Sequence, residues 1–236
     1  VTGFGVVAPL AALSMQSAPV APALPHAPAS PDMCRATLQS AGAKMSSWPM
    51  RPEVMSGGVT CEAPDGVTLR RGASGLRYQP AASVNCAFGL RLVRFEAVVQ
   101  EVAKEVFHSR VRSIRQLGTY NCRRMAAYPS QVSEHSFANA IDVASFTLQN
   151  GRKVVVERDW VPQEHPATTP ESRFLRLVAR RLYDEQVFSV VLTPSYNHDH
   201  HNHFHLDGAP YFVDGTYPAH VVTTTADSST AAKPGT

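Results

Sequence analysis

The sequence predicts an α+β domain: a small, mainly antiparallel sheet with flanking helices. Two observations predict it. Apolar residues recur at helical spacing in one early and one late segment, and short β-branched runs follow each of them. One pair of those runs is joined by Asn150 and Gly151, a strong short-range hairpin signal. Helices set around hairpin strands, rather than alternating with them, argue against a parallel sheet.

The chain has 236 residues, 44% hydrophobic and 17% charged, which suits one domain with its own core plus terminal segments. The net charge of +3 argues against a nucleic-acid binder, since no basic run or stripe stands out. Residues 1–13 are apolar and uncharged, and they read as the h-region of a signal peptide or anchor. Residues 18–31 carry prolines at 19, 22, 25, 28 and 31, a spacing that favours an extended linker and forbids helix. Residues 219–236 read as a disordered tail. The expected organisation is a leader and linker over 1–31, a domain over 32–218 and a tail.

Within the domain, residues 32–43 suit a short helix and 67–71 a strand inside a turn-rich stretch. Residues 91–108 form the clearest helix, because Phe95, Val98, Val99, Val102 and Val106 fall on one face. Strands are expected at 111–117, 140–148 and 153–156. A second helix is expected at 170–186. Thr168 and Glu171 would form its capping box, Pro170 would sit in its first turn, and Phe174, Leu177, Val178 and Leu182 would form its buried stripe. The apolar run at 188–193 suits a buried strand, and 203–206 a final short one.

Four cysteines, Cys34, Cys61, Cys86 and Cys122, form no C-x-x-C pair, so a cysteine zinc ribbon is not expected. Their even number and wide spacing suit two disulfides and an oxidising compartment, the alternative being four buried thiols. Pairing in sequence order, Cys34 with Cys61 and Cys86 with Cys122, closes loops of moderate length.

Two stretches carry chemistry. From Ser133 to Asp142, a histidine at 135 in a turn precedes an aspartate at the start of a strand. Near the end of the domain, His203, His205 and Asp207 alternate with Phe204 and Leu206. On a strand, that alternation puts both imidazoles and the carboxylate on one face and the apolar pair in the core. Such a polar cluster is costly unless something binds it, and a metal is the usual solution. Five of the ten histidines lie between His198 and His205; a His-rich loop that binds metal adventitiously explains His198 and His201 but not the alternation.

Together the stretches resemble the zinc peptidases that include D-Ala-D-Ala carboxypeptidases, penicillin-insensitive murein endopeptidase and lysostaphin-type enzymes. That group carries S-x-H-x-x-G-x-A-x-D and a later H-x-H. Ser133, His135, Ala140 and Asp142 match the first motif, and His203 and His205 the second. More closely, the chain resembles the bacterial extensin-like C-terminal domain family. The carriers are the run from Gly118 to Arg123 with Tyr120 and Cys122, the Ser133 to Asp142 run, Phe174 with Leu175, Tyr196 with Asn197, and His203 to Asp207. Ala138 departs from the peptidase motif, which has glycine there.

The resemblance implies a hedgehog/D-Ala-D-Ala-peptidase-like fold and a zinc ion held by His135, Asp142 and His205. It implies water in the remaining coordination position and peptidoglycan peptides as substrate. It also implies His203 as general base and Arg123 facing the substrate, where Arg123 would stabilise an oxyanion or hold a terminal carboxylate. Spacing alone does not separate His203 from His205 as ligand, and His200 competes for either role. Arg123 reads equally as a surface residue. Asp207 and Ser133 would orient ligands from behind, and a disulfide at Cys122 would pin the Arg123 loop. An exported, periplasmic or envelope enzyme is expected, with no nucleic-acid partner. The alternative is a zinc-containing wall-binding or structural envelope domain without turnover.

Overall fold

The computed structural model describes residues 30–217; the expected leader, most of the linker and the tail lie outside them. The linker's last residues, Ser30 and Pro31, are already part of helix α1 (Pro31–Ser40). The Ser30 side chain accepts from the Met33 N–H, and Pro31 occupies the first turn, where its missing N–H costs nothing. Then come β1 (Lys44–Ser47), β2 (Glu53–Val54), β3 (Thr60–Cys61), β4 (Val67–Arg71) and β5 (Arg77–Val84). Helix α2 (Cys86–Phe107) follows, with β6 (Val111–Gly118), β7 (Ala140–Leu148), β8 (Lys153–Val155) and the short α3 (Val156–Asp159). The chain ends with α4 (Pro170–Asp184), β9 (Val190–Leu192), β10 (Phe204–Asp207) and β11 (Val213–Gly215).

The class is α+β, but the sheet is not small. Nine strands run in the order β1-β4-β5-β6-β7-β10-β9-β11, with β8 also paired to β7. Pairing is antiparallel except for β5 with β6 and β9 with β11. The strands not foreseen are β1, β2, β3, β5 and β11, mostly too short for alternation to show. Pro80 disguises β5, yet the ladder tolerates it: β6 pairs with Arg77 to Gln79, and β4 with Arg77 and the stretch from Ala82 to Val84, so Pro80 itself is never asked to donate.

Helix α2 starts five residues earlier than residue 91, because the Asn85 side chain caps it by accepting from Phe88 N–H at 2.8 Å. Gly89 lets α1 approach α2 closely: a Cβ there would lie 3.1 Å from Leu38 Cδ1. The cap of α4 is Thr169 with Ser172, one residue on from the expected Thr168 and Glu171. The Asn150–Gly151 turn joins β7 and β8, with Gly151 at φ +90°.

The main core lies between the sheet and α1, α2 and α4. Phe188 packs on Phe88 and Phe95, and Phe146 on Phe174 at 5.2 Å between centroids. Phe204 and Leu206 of β10 are both fully buried in this core. Trp160 meets the Phe204 ring edge-on and anchors the following loop by donating to Ser195 Oγ at 3.0 Å.

The disulfides pair alternately rather than in sequence order: Cys34 with Cys86 and Cys61 with Cys122. Cys34 is on the buried stripe of α1, which packs against the first turn of α2, where Cys86 stands. Packing decides this, because doubling a loop costs only ~0.6 kcal/mol of closure entropy. None of the described helices is long and apolar enough to cross a membrane.

Candidate metal centre

Period-two burial in β10 sets the site. With Phe204 and Leu206 committed to the core, His205 and Asp207 turn to the opposite sheet face. On β7, Ile141 and Val143 likewise enter the core and Asp142 turns away. The antiparallel register then places His205 directly opposite Asp142. On the other flank of β7, Gly118 pairs with Asp142 and presents no side chain, so the carboxylate stays uncrowded.

His135 arrives from the single-turn 3-10 helix Glu134–Phe137, immediately before β7. Ala138 reverses the chain there in the left-handed region, with φ +50° and ψ +35°. That is the position where the peptidase motif has glycine. Alanine adopts the conformation at a cost of ~1–2 kcal/mol, and the turn is closed by Ala138 N–H donating to His135 carbonyl at 3.1 Å.

The three side chains converge. His135 Nε2 lies 3.3 Å from Asp142 Oδ2 and 3.2 Å from His205 Nδ1, and His205 Nδ1 lies 3.0 Å from Asp142 Oδ1. A ligand triangle around an ion at ~2.0–2.1 Å has edges of ~3.3 Å when the geometry is tetrahedral. The observed edges fit, so His135, Asp142 and His205 can hold a metal ion. Asp207 supplies the support such a ligand needs: its Oδ2 is 2.9 Å from His205 Nε2, and its Oδ1 accepts from Ala209 N–H. With a metal bound, this contact would keep the proton on Nε2 and leave the Nδ1 lone pair for the ion.

The electrostatics follow from the packing. Burial works against the charge on Asp142, but hydrogen bonds from His135 and His205 outweigh it and hold the carboxyl well below the usual range. Burial also disfavours a charged His205, yet Asp142 and Asp207 push the imidazole up to about 9. His200 goes the other way, to about 4, through burial and repulsion by His205 and His203. His203 is lowered chiefly by burial, against the pull of Asp142.

The expected position of His203 on the strand is corrected: β10 begins at Phe204, and His203 lies in the preceding turn. It still faces the site, with Nε2 3.5 Å from Asp142 Oδ1. Its Nδ1 meets Asn202 Oδ1 at 2.8 Å, a contact that favours the tautomer protonated at Nδ1 with a lone pair on Nε2. His200 is fixed in the same way by Asn197 Oδ1 at 2.6 Å. Both histidines line a cleft of about 390 Å3, together with Asp142, His205 and Arg123. The Arg123 guanidinium is bonded only to the Arg124 carbonyl and pairs with no carboxylate among the described residues. Its loop is held twice, by the disulfide at Cys122 and by the Ser136 hydroxyl, which accepts from Arg123 N–H and donates to the Arg123 carbonyl at 2.9 Å. Ser133 lines the cleft, and its N–H donates to the Arg123 carbonyl.

Several cleft residues were not among the expected site residues. Tyr128, Tyr196 and Tyr211 line the cleft from three separate loops. Glu134 also lines it; burial raises its carboxyl, and the Asn139 amide donating at 2.6 Å works against that rise. Glu134 stands within the Ser133 to Asp142 run, so its neighbourhood could have marked it. Tyr196 stands beside Asn197 among the residues that carry the family resemblance; Tyr128 and Tyr211 have no such context.

A family model described as "Extensin-like protein C-terminus" matches residues 32–216. No curated protein and no solved structure matches the chain.

Proposed function

The chain belongs to the extensin-like protein C-terminus family, and from that premise we propose that it is a zinc-dependent peptidase acting on peptidoglycan peptides outside the cytoplasm. The observation that carries the reading is the convergence of His135, Asp142 and His205, whose ligand atoms all lie within 4.8 Å of one another beside an open cleft. Two histidines and one carboxylate leave room for a further ligand, the pattern of catalytic rather than structural zinc. When bound, the ion would polarise a scissile carbonyl and acidify water.

The protein's own groups supply the rest. His203, with its proton favoured at Nδ1 by Asn202, offers Nε2 as the base that takes a proton from attacking water. Arg123, on its braced loop at the cleft wall, suits an oxyanion or a substrate carboxylate. The three tyrosines give the cleft flat amphipathic walls of the kind that hold a peptide. The two disulfides support an oxidising compartment, hence export.

The test is digestion of purified murein by zinc-loaded and chelated protein, with elemental analysis of the metal as purified. New muropeptides only in the zinc-loaded sample support the proposal, and their loss in His203→Ala with zinc retained assigns the base. Unchanged muropeptides in both samples would make the domain a zinc-containing wall-binding module instead. Two histidines and a carboxylate also serve iron(II), so iron at full occupancy in the purified protein would overturn the zinc assignment.

A further inference from the structure

A second cavity, of about 420 Å3, lies over the start of β6, the end of β7 and the β4–β5 turn. It is five residues along β7 from Asp142, roughly 17 Å at ~3.4 Å per residue. Its charge is one-sided. Arg71, Arg77, Arg110 and Arg112 line it with the hydroxyl residues Ser113 and Thr147, and no aspartate or glutamate does. The four arginines are exposed, and none forms an ion pair with a carboxylate among the described residues.

Two of the four are held in place. Arg71 donates to the Gly75 carbonyl at 3.0 Å and Arg110 to the Ser74 carbonyl at 2.9 Å, so two guanidiniums are tied to the same turn. That turn is itself anchored, because Ser74 N–H donates to the buried Glu96 at 2.8 Å. Glu96 faces Ser74 and the Tyr78 hydroxyl and does not line the cavity. Arg71 and Arg77 are direct cross-strand partners. Like charges in that position destabilise a sheet, and an anion between them would reverse the sign of the interaction.

We propose that this cavity is a binding site for a phosphate ester. Four guanidinium forks lining one space match the three oxygens and double charge of a phosphate better than a single carboxylate. The volume falls in the range of small-ligand sites, larger than a bare oxyanion needs, so the ester's organic part has room. The site is separate from the histidine cluster and does not depend on a metal there. A soluble phosphate ester and the headgroup of a phospholipid share this chemistry.

The test is calorimetric titration of the full chain with glycerol 3-phosphate at physiological ionic strength, where loose surface attraction is screened. It is joined by cosedimentation with phosphatidylcholine vesicles with and without phosphatidic acid. Saturable binding to either probe, weakened about tenfold in Arg77→Ala and in Arg112→Ala and retained in His203→Ala, supports the site. The probe that binds tells a soluble ester from a lipid headgroup. Arg77→Lys should recover only part of the loss, because lysine is a point charge without the fork. The unliganded Arg77→Ala protein should unfold at the same or higher denaturant than the parent, which separates lost binding from lost folding. Absence of binding to both probes overturns the proposal, as does binding that follows His203 rather than Arg77 and Arg112.

Discussion

Replacing Asp207 by asparagine is the most direct probe of how the metal centre is built. Asp207 is 2% exposed and makes two bonds, one oxygen 2.9 Å from His205 Nε2 and the other 3.0 Å from Ala209 N–H. The amide keeps the shape and can still accept one of these bonds, but the charge is lost and its NH2 faces a donor. A hydrogen bond to a charged group contributes about 1.5–3 kcal/mol, and outer partners of metal-bound histidines are worth about 10–100-fold in affinity. We expect Asp207→Asn to weaken zinc binding by that factor, with the metal-free protein still folded by far-ultraviolet circular dichroism. The assay is competition against a chromophoric chelator. Parent and variant are compared at several pH values, because a proton on His205, whose imidazole is pushed up by Asp142 and Asp207, competes with the metal. Zinc affinity within twofold of the parent protein would refute the assignment of His205 Nδ1 as a ligand oriented through Asp207.

Three further outcomes concern stability. Ala138 is fully buried in the left-handed region; Ala138→Gly should stay within about 1 kcal/mol of the parent, relief of strain offsetting a lost methyl and added chain entropy. Ala138→Val should cost about 2–4 kcal/mol in urea unfolding, from strain plus overpacking, and a near-neutral valine would disprove the strained turn. Burial raises the Glu96 carboxyl above its ordinary 4.5 against the bonds from Ser74 and Tyr78. A raised acid subtracts stability as pH climbs from the unfolded value through the folded one. Glu96→Gln should therefore start less stable, for want of one hydrogen bond, and close the gap above pH 4.5; a gap constant with pH would contradict this. The disulfides close loops with sequence separations of 52 and 61 residues, each worth about 4 kcal/mol by chain entropy. Reduction should shift the urea midpoint markedly, and an unmoved midpoint would argue against both bridges.

Much of the architecture was legible because local physics writes it into the chain. Helical periodicity in α2 and α4, the Asn150–Gly151 turn and the alternation of Phe204 and Leu206 with His205 and Asp207 all report which face is buried. The possible ligands His135, Asp142 and His205 were named through the family resemblance; alternation marked the His203 to Asp207 face but did not separate His203 from His205. Two- to four-residue strands such as β2 and β11 leave no such trace, and Pro80 hid β5 by breaking a pattern that the ladder itself does not need at that point.

The chain's own order, then, decides which side chains leave the core and which stay in it, because burial alternates over neighbouring residues. Which of those side chains meet is decided elsewhere. The register of β10 on β7 sets His205 opposite Asp142 across 63 residues of chain, and the packing of α1 on α2 brings Cys34 to Cys86. Separate loops gather the cleft tyrosines, and three strands and the turn before β6 gather the unpaired arginines. These are distances between remote segments. They follow from how the sheet and helices pack as solids, a property that no local window of residues contains.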